Sequence, residues 1–146
     1  MTRYIAAQLV GGLAGAAAGR ALLPRAIWDS IGGTVTHPAV PAAAAFGLEA
    51  GMTALLIVVI LTFSSSEWLA RLTPLAIVPV LTAIIWLGSP WTGASINPAR
   101  SEGPAVAFAD FSDLWLYLVA PSLAGLAVGL AWRVTRTSLG ALPRDT

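Results

Sequence analysis

Apolar residues in this chain fall in long runs, without the alternation of a half-buried strand or the narrow stripe of a surface helix. Four runs approach the roughly 20 residues an α-helix needs to cross the hydrocarbon of a bilayer. They cover 5–23, 42–63, about 75–88 and 114–132. The third is short, and Leu69 to Thr73 extends it across Arg71, so that span is expected over 69–88. The connectors are polar and rich in turn residues. Residues 25–41 hold Gly32, Gly33, Pro38 and Pro41; Ser64-Ser65-Ser66-Glu67 is brief; 89–113 holds Pro90, Gly93, Pro98, Gly103 and Pro104. Only the last mixes turn residues with an apolar stretch, Ala105 to Ala109. This predicts a re-entrant loop and half-helix over 92–109, because irregular backbone at membrane depth must be buried in protein or line a water-filled cavity. The expected fold class is an all-α membrane protein with four transmembrane helices plus one re-entrant half-helix.

Composition agrees with a bilayer as solvent. The 146 residues are 57% hydrophobic and 10% charged, against roughly a quarter charged in soluble domains. All eight basic residues are arginine, the net charge is +1, and no basic stripe suggests a nucleic-acid partner. Cysteine is absent, which excludes disulfides, thiolate metal sites and cysteine nucleophiles. One histidine and seven carboxylates leave little for acid–base or metal chemistry, so the chain is expected to be no enzyme, with no metal and no cofactor.

Arginine placement sets an expected orientation. With the N-terminus inside, Arg3, Arg71, Arg133, Arg136 and Arg144 are cytoplasmic, while Arg25 and Arg100 lie outside with Arg20 near them. Both termini are then cytoplasmic in a multi-pass protein of the cell membrane. Trp28, Trp68, Trp91, Trp115 and Trp132 fall near span ends, as an interfacial belt requires. The first span also carries rudiments of a secretory signal peptide, but Gln8 and four glycines make a poor apolar region. Small residues recur every fourth position at Ala7, Gly11, Gly15 and Gly19, at Ala43, Gly47 and Gly51, and at Gly125 and Gly129. Such spacing lets helices approach closely in lipid.

The chemistry-bearing residues cluster around Asn97. Pro98 suits the first turn of a helix, where its missing N–H costs nothing. Asn97 is a good N-cap, with a side-chain amide able to point into a pore. A half-helix from there brings its positive end near the midplane, a recurring site for ions and polar solutes. Arg100 is an intramembrane charge and Glu49, seven residues into the second span, another; both are functional candidates by default. His37 reads as a loop histidine.

The run Thr92-Gly93-Ala94-Ser95-Ile96-Asn97-Pro98-Ala99-Arg100-Ser101-Glu102-Gly103-Pro104-Ala105-Val106 resembles the second Asn-Pro-Ala loop of the aquaporin (major intrinsic protein) family over about fifteen positions. Tyr4-Ile5-Ala6-Ala7-Gln8 is similar to the start of that family's third helix. Phe46 to Thr53, with Glu49, is similar to its fourth, and Pro121 with Gly125 and Gly129 to its sixth. The resemblance implies helices three to six of an aquaporin-like fold, incomplete relative to six helices, with no counterpart of helices one and two or of the first Asn-Pro-Ala loop.

By that resemblance Asn97, Pro98 and Ala99 form the pore motif. Arg100 is the pore arginine, and Ile85 and Ala94 share its constriction, Ile85 standing where water-selective members have histidine. Glu49 braces the re-entrant backbone and Gln8 does the same. Ser101 and Ala105 match the water-channel pattern, while Tyr117 and Leu118 resemble the nodulin-26-like branch. Glu102 departs from the usual phenylalanine, and a carboxylate next to Arg100 is able to pair with it and weaken its field. The implied function is passive passage of water or small neutral solutes by a channel fragment or subunit. Its partners are the lipid bilayer and a complementary chain or homo-oligomer that closes the pore. The alternative is a truncated, non-conducting membrane scaffold that binds partners through its helix faces.

Overall fold

A computed structural model describes residues 2–31 and 39–140, so His37 and Arg144 lie outside the described residues. All regular structure within them is helical: α1 Thr2–Leu22, α2 Arg25–Ile31, α3 Ala42–Phe63, α4 Glu67–Ala70, α5 Thr73–Thr92, α6 Pro98–Phe108 and α7 Leu114–Gly140. α1, α3, α5 and most of α7 are long and apolar enough to cross a membrane.

Local chemistry explains where the elements start and stop. Ser66 accepts the Leu69 N–H at 3.3 Å and caps the short α4. The chain then breaks at Arg71–Leu72 before Thr73-Pro74 opens α5. The third span therefore does not run over 69–88. It begins at Thr73, because the Ser66 cap spends Leu69 and Ala70 on a separate turn, and it continues through Pro90 to Thr92. α5 ends where Gly93 takes φ 73° and returns its N–H to the Ser89 carbonyl, a left-handed cap that costs glycine no Cβ clash. The connector expected from Arg25 to Pro41 is also not wholly irregular, since α2 opens it.

The helices pack in an open arc. α1 lies against α6, α6 against α7, α7 against α3, and α3 against α5. α1 buries no residue completely. The firmest apolar contact is between α3 and α7, where Ala45, Leu116 and Tyr117 are buried and Phe46 stacks near Trp115 at 6.4 Å. Between α1 and α6 the contact is backbone on backbone. A Cβ on Gly12 would overlap the Ala99 carbonyl oxygen, and one on Gly103 would overlap the Gly12 carbonyl. The small-residue seam therefore runs through Gly12, Ala16 and Gly19, the last under the Trp28 ring. Gly11 and Gly15 have nothing near a Cβ position, so of the glycines in the expected stripe on this helix only Gly19 meets a neighbour among the described residues.

The turn after α6 is tied by Ser112, whose hydroxyl and N–H both donate to Asp110 Oδ1. These bonds hold the Asp110 carboxyl below the usual carboxylate range. Their contribution is present above that range and is lost as the pH falls through it.

Candidate functional site

The concave side of the arc is a groove of about 440 Å³. Helices α3, α5 and α7 wall it, and the segment 93–97 between α5 and α6 enters it as extended and left-handed backbone. Such a segment makes none of the repeating bonds of a helix, and its N–H groups need other acceptors.

Glu49 supplies them. Its side chain is fully buried, and its Oε1 accepts the Thr92 hydroxyl at 2.7 Å and the Ser95 N–H at 2.9 Å. Oε2 accepts the Ile96 N–H at 2.7 Å. One carboxylate thus satisfies two consecutive backbone donors of the loop and fixes the end of α5. Thr53, one turn on, turns its hydroxyl back to the Glu49 carbonyl at 2.7 Å. From the other side Tyr117, fully buried on α7, donates to the Thr92 carbonyl at 2.6 Å. Ser95 and Ser101 share a hydrogen bond of 2.6 Å, and the Ser95 hydroxyl also reaches the Asn97 carbonyl at 3.0 Å. Thr92, Ser95, Ser101 and Tyr117 escaped the sequence reading as braces. Their only signal was a hydroxyl within otherwise apolar surroundings.

This clamp holds an unusual backbone. Ala94 and Ile96 take φ 45° and 49°, a region that costs non-glycine residues of order 1–3 kcal/mol each and persists only where surrounding contacts over-determine it. For β-branched Ile96 it is a genuine outlier. The kinked path turns the chain from the end of α5 into α6. Asn97 caps it, its Oδ1 accepting the Ala99 N–H at 3.0 Å, and Pro98 follows at the first position.

Asn97, Pro98, Arg100, Ile85 and Ala94 all line the groove, while Ala99 is buried on the α1 side of α6. Nη1 of Arg100 donates to the Gly93 and Ala94 carbonyls at 3.1 and 3.0 Å. Those carbonyls neutralise part of the charge and aim the guanidinium along the loop. Glu102 does not pair with it. Two positions along a helix separate side chains by roughly 200°, and Glu102 Oε2 is buried without a hydrogen-bond partner among the described residues. Gln8 also borders the groove, and among the described residues no hydrogen bond joins its amide to the loop it was expected to brace.

Replacing Tyr117 by phenylalanine tests the α7 side of the clamp. It strands the Thr92 carbonyl, and the expected cost is about 1–3 kcal/mol, read as a lowered thermal midpoint in detergent. An unchanged midpoint would mean that water takes over the bond.

The comparisons with known proteins agree with this geometry. The family described as Major intrinsic protein matches residues 1–132. The chain is 37% identical to Aquaporin C of Dictyostelium discoideum over 139 residues, 90% of this chain and 49% of that protein. It is 37% identical to the lens fiber major intrinsic protein of Lithobates pipiens over 131 residues, 88% of this chain and 50% of that protein. It is 34% identical to Aquaporin-8 of Rattus norvegicus over 135 residues, 90% and 51% respectively. The chain spans about half the length of these curated relatives. It is an integral membrane protein, and with a family match over nearly its whole length it belongs to the major intrinsic protein family.

Proposed function

We propose that this chain forms the loop-bearing half of a channel for water and small uncharged solutes, with both termini cytoplasmic. The observation that carries the reading is Asn97. Asn97 lines the groove; its Oδ1 accepts the Ala99 N–H, and among the described residues its Nδ2 has no protein acceptor. A water leaving bulk for an apolar groove loses hydrogen bonds, and a fixed donor at the midpoint returns one. The positive end of α6 and the guanidinium of Arg100 add a field that repels cations. Ile85 across the groove makes the constriction more apolar than histidine does, which favours small neutral solutes such as ammonia or metalloid hydroxides beside water. The open side of the arc is closed by further polypeptide, whether of the same protein, a complementary chain or another copy.

Osmotic shrinkage of vesicles containing the full protein tests this. Wild-type vesicles are expected to shrink faster than lipid alone. Asn97→Leu, which removes an amide donor from the groove lining, should lower the protein-dependent rate by about tenfold. Arg100→Ala should admit larger neutral solutes. Wild-type shrinkage at the lipid rate would defeat the channel reading and leave a non-conducting scaffold whose partner binding is indifferent to Arg100.

A further inference from the structure

Where α1 ends, away from the groove, a second cavity of about 280 Å³ opens between α1, α2 and the C-terminal end of α6. Two arginines line it. Nη1 of Arg20 donates to the Ala107 carbonyl at 3.0 Å, which satisfies an orphan acceptor at the end of α6, and among the described residues the guanidinium has no other partner. Nε of Arg25 lies 3.5 Å from Asp29 Oδ2, with both side chains largely exposed, a pair worth little. The cavity's third side is formed by Trp28 stacked on Phe108, with centroids 4.7 Å apart and planes 2° from parallel.

From this arrangement we infer that the cavity holds the phosphate of a membrane lipid headgroup, gripped by Arg20 and Arg25. Position supports a lipid over a free ion. Arg20 is two residues from the end of a membrane-spanning helix, so the cavity sits at headgroup level. Leu22, Leu23 and Ile27 beside it are solvent-exposed apolar side chains, suited to the glycerol and upper acyl region of the same molecule. Guanidinium forks match phosphate oxygens in a bidentate way that ammonium groups do not, and basic pockets between membrane helices are a recognised form of headgroup site. Asp29 is the opposing charge within the cavity, so binding requires Arg25 to turn from it. A bound phosphate would link α2 to Arg20 and, through Ala107, to the end of the half-helix. The inference does not depend on what the groove conducts.

The test uses the full protein in detergent, titrated with short-chain phosphatidylglycerol and, separately, with inorganic phosphate, with retention followed by native mass spectrometry. Wild type is expected to retain one phosphatidylglycerol at this site. Arg25→Gln, an exposed change that folding tolerates, should weaken retention by about tenfold, the scale of one charge-assisted bond. Asp29→Asn should tighten it, and Arg133→Gln with Arg136→Gln at the far end of α7 should leave it unchanged. Equal retention by wild type, Arg20→Gln and Arg25→Gln would overturn the site. Inorganic phosphate binding as tightly as the lipid would overturn the assignment to a headgroup and make the ligand a free anion.

Discussion

Replacing Glu49 by leucine is expected to unseat the whole re-entrant loop and abolish any permeability the protein confers. The buried carboxylate accepts the Ser95 and Ile96 N–H groups and the Thr92 hydroxyl. Leucine has nearly the right bulk and no acceptor, so three donors are stranded beside apolar neighbours. Each bond to a charged acceptor contributes about 1.5–3 kcal/mol, and the total rivals the whole stability margin of a typical domain. The positive φ of Ala94 and Ile96 then loses what maintains it, and that strain drives the segment to relax away from the groove. Glu49→Gln separates the two roles of the side chain. Its single carbonyl keeps one edge of the loop while its amide faces the other edge donor to donor, so an intermediate loss is expected. Unfolding in graded denaturant, with the osmotic rate of reconstituted vesicles, reads both effects. A Glu49→Leu protein with wild-type stability would show that the loop holds itself.

The spans were legible in the sequence because a bilayer imposes one coarse requirement, some twenty apolar residues in a row. That signal does not fix their ends to the residue. Whether Leu69 and Ala70 belong to the third span depended on one serine hydroxyl at Ser66, and its far end depended on Gly93 taking a left-handed turn beyond Pro90. The loop was legible as a motif, because Asn97, Pro98 and Arg100 are rare types to meet in an apolar stretch. Its supports were less so. Glu49 stood out as a lone intramembrane carboxylate. Tyr117 and Ser95 are ordinary residues whose part appears only when α7 meets the end of α5 and the loop folds against α3 and α6. Glu102 shows the opposite error: nearness in sequence suggested an ion pair that helical geometry forbids.

Glycine spacing on α1 left the choice of packing face open. α1 holds adjacent glycines at 11 and 12, so two neighbouring faces both display small residues at intervals of three or four. Counting alone cannot choose between them, since one position rotates the face by only about 100°. The structure selects Gly12, where the α1 backbone meets the α6 backbone at Ala99 and Gly103 without side chains between. Gly103→Leu should therefore lift the half-helix away from α1. The obstacle is the Gly12 carbonyl, which cannot swing aside as a side chain does, so the cost is expected at or above the roughly 1–3 kcal/mol of ordinary overpacking. Even Gly103→Ala should be destabilising, although alanine is the better helix former. Gly15→Ala on the neighbouring face meets nothing within 4 Å. It should be neutral or gain up to about 1 kcal/mol from helix propensity. Measured side by side by denaturant unfolding, the two alanine variants should move in opposite directions. Equal effects would mean that α1 and α6 do not cross at Gly12.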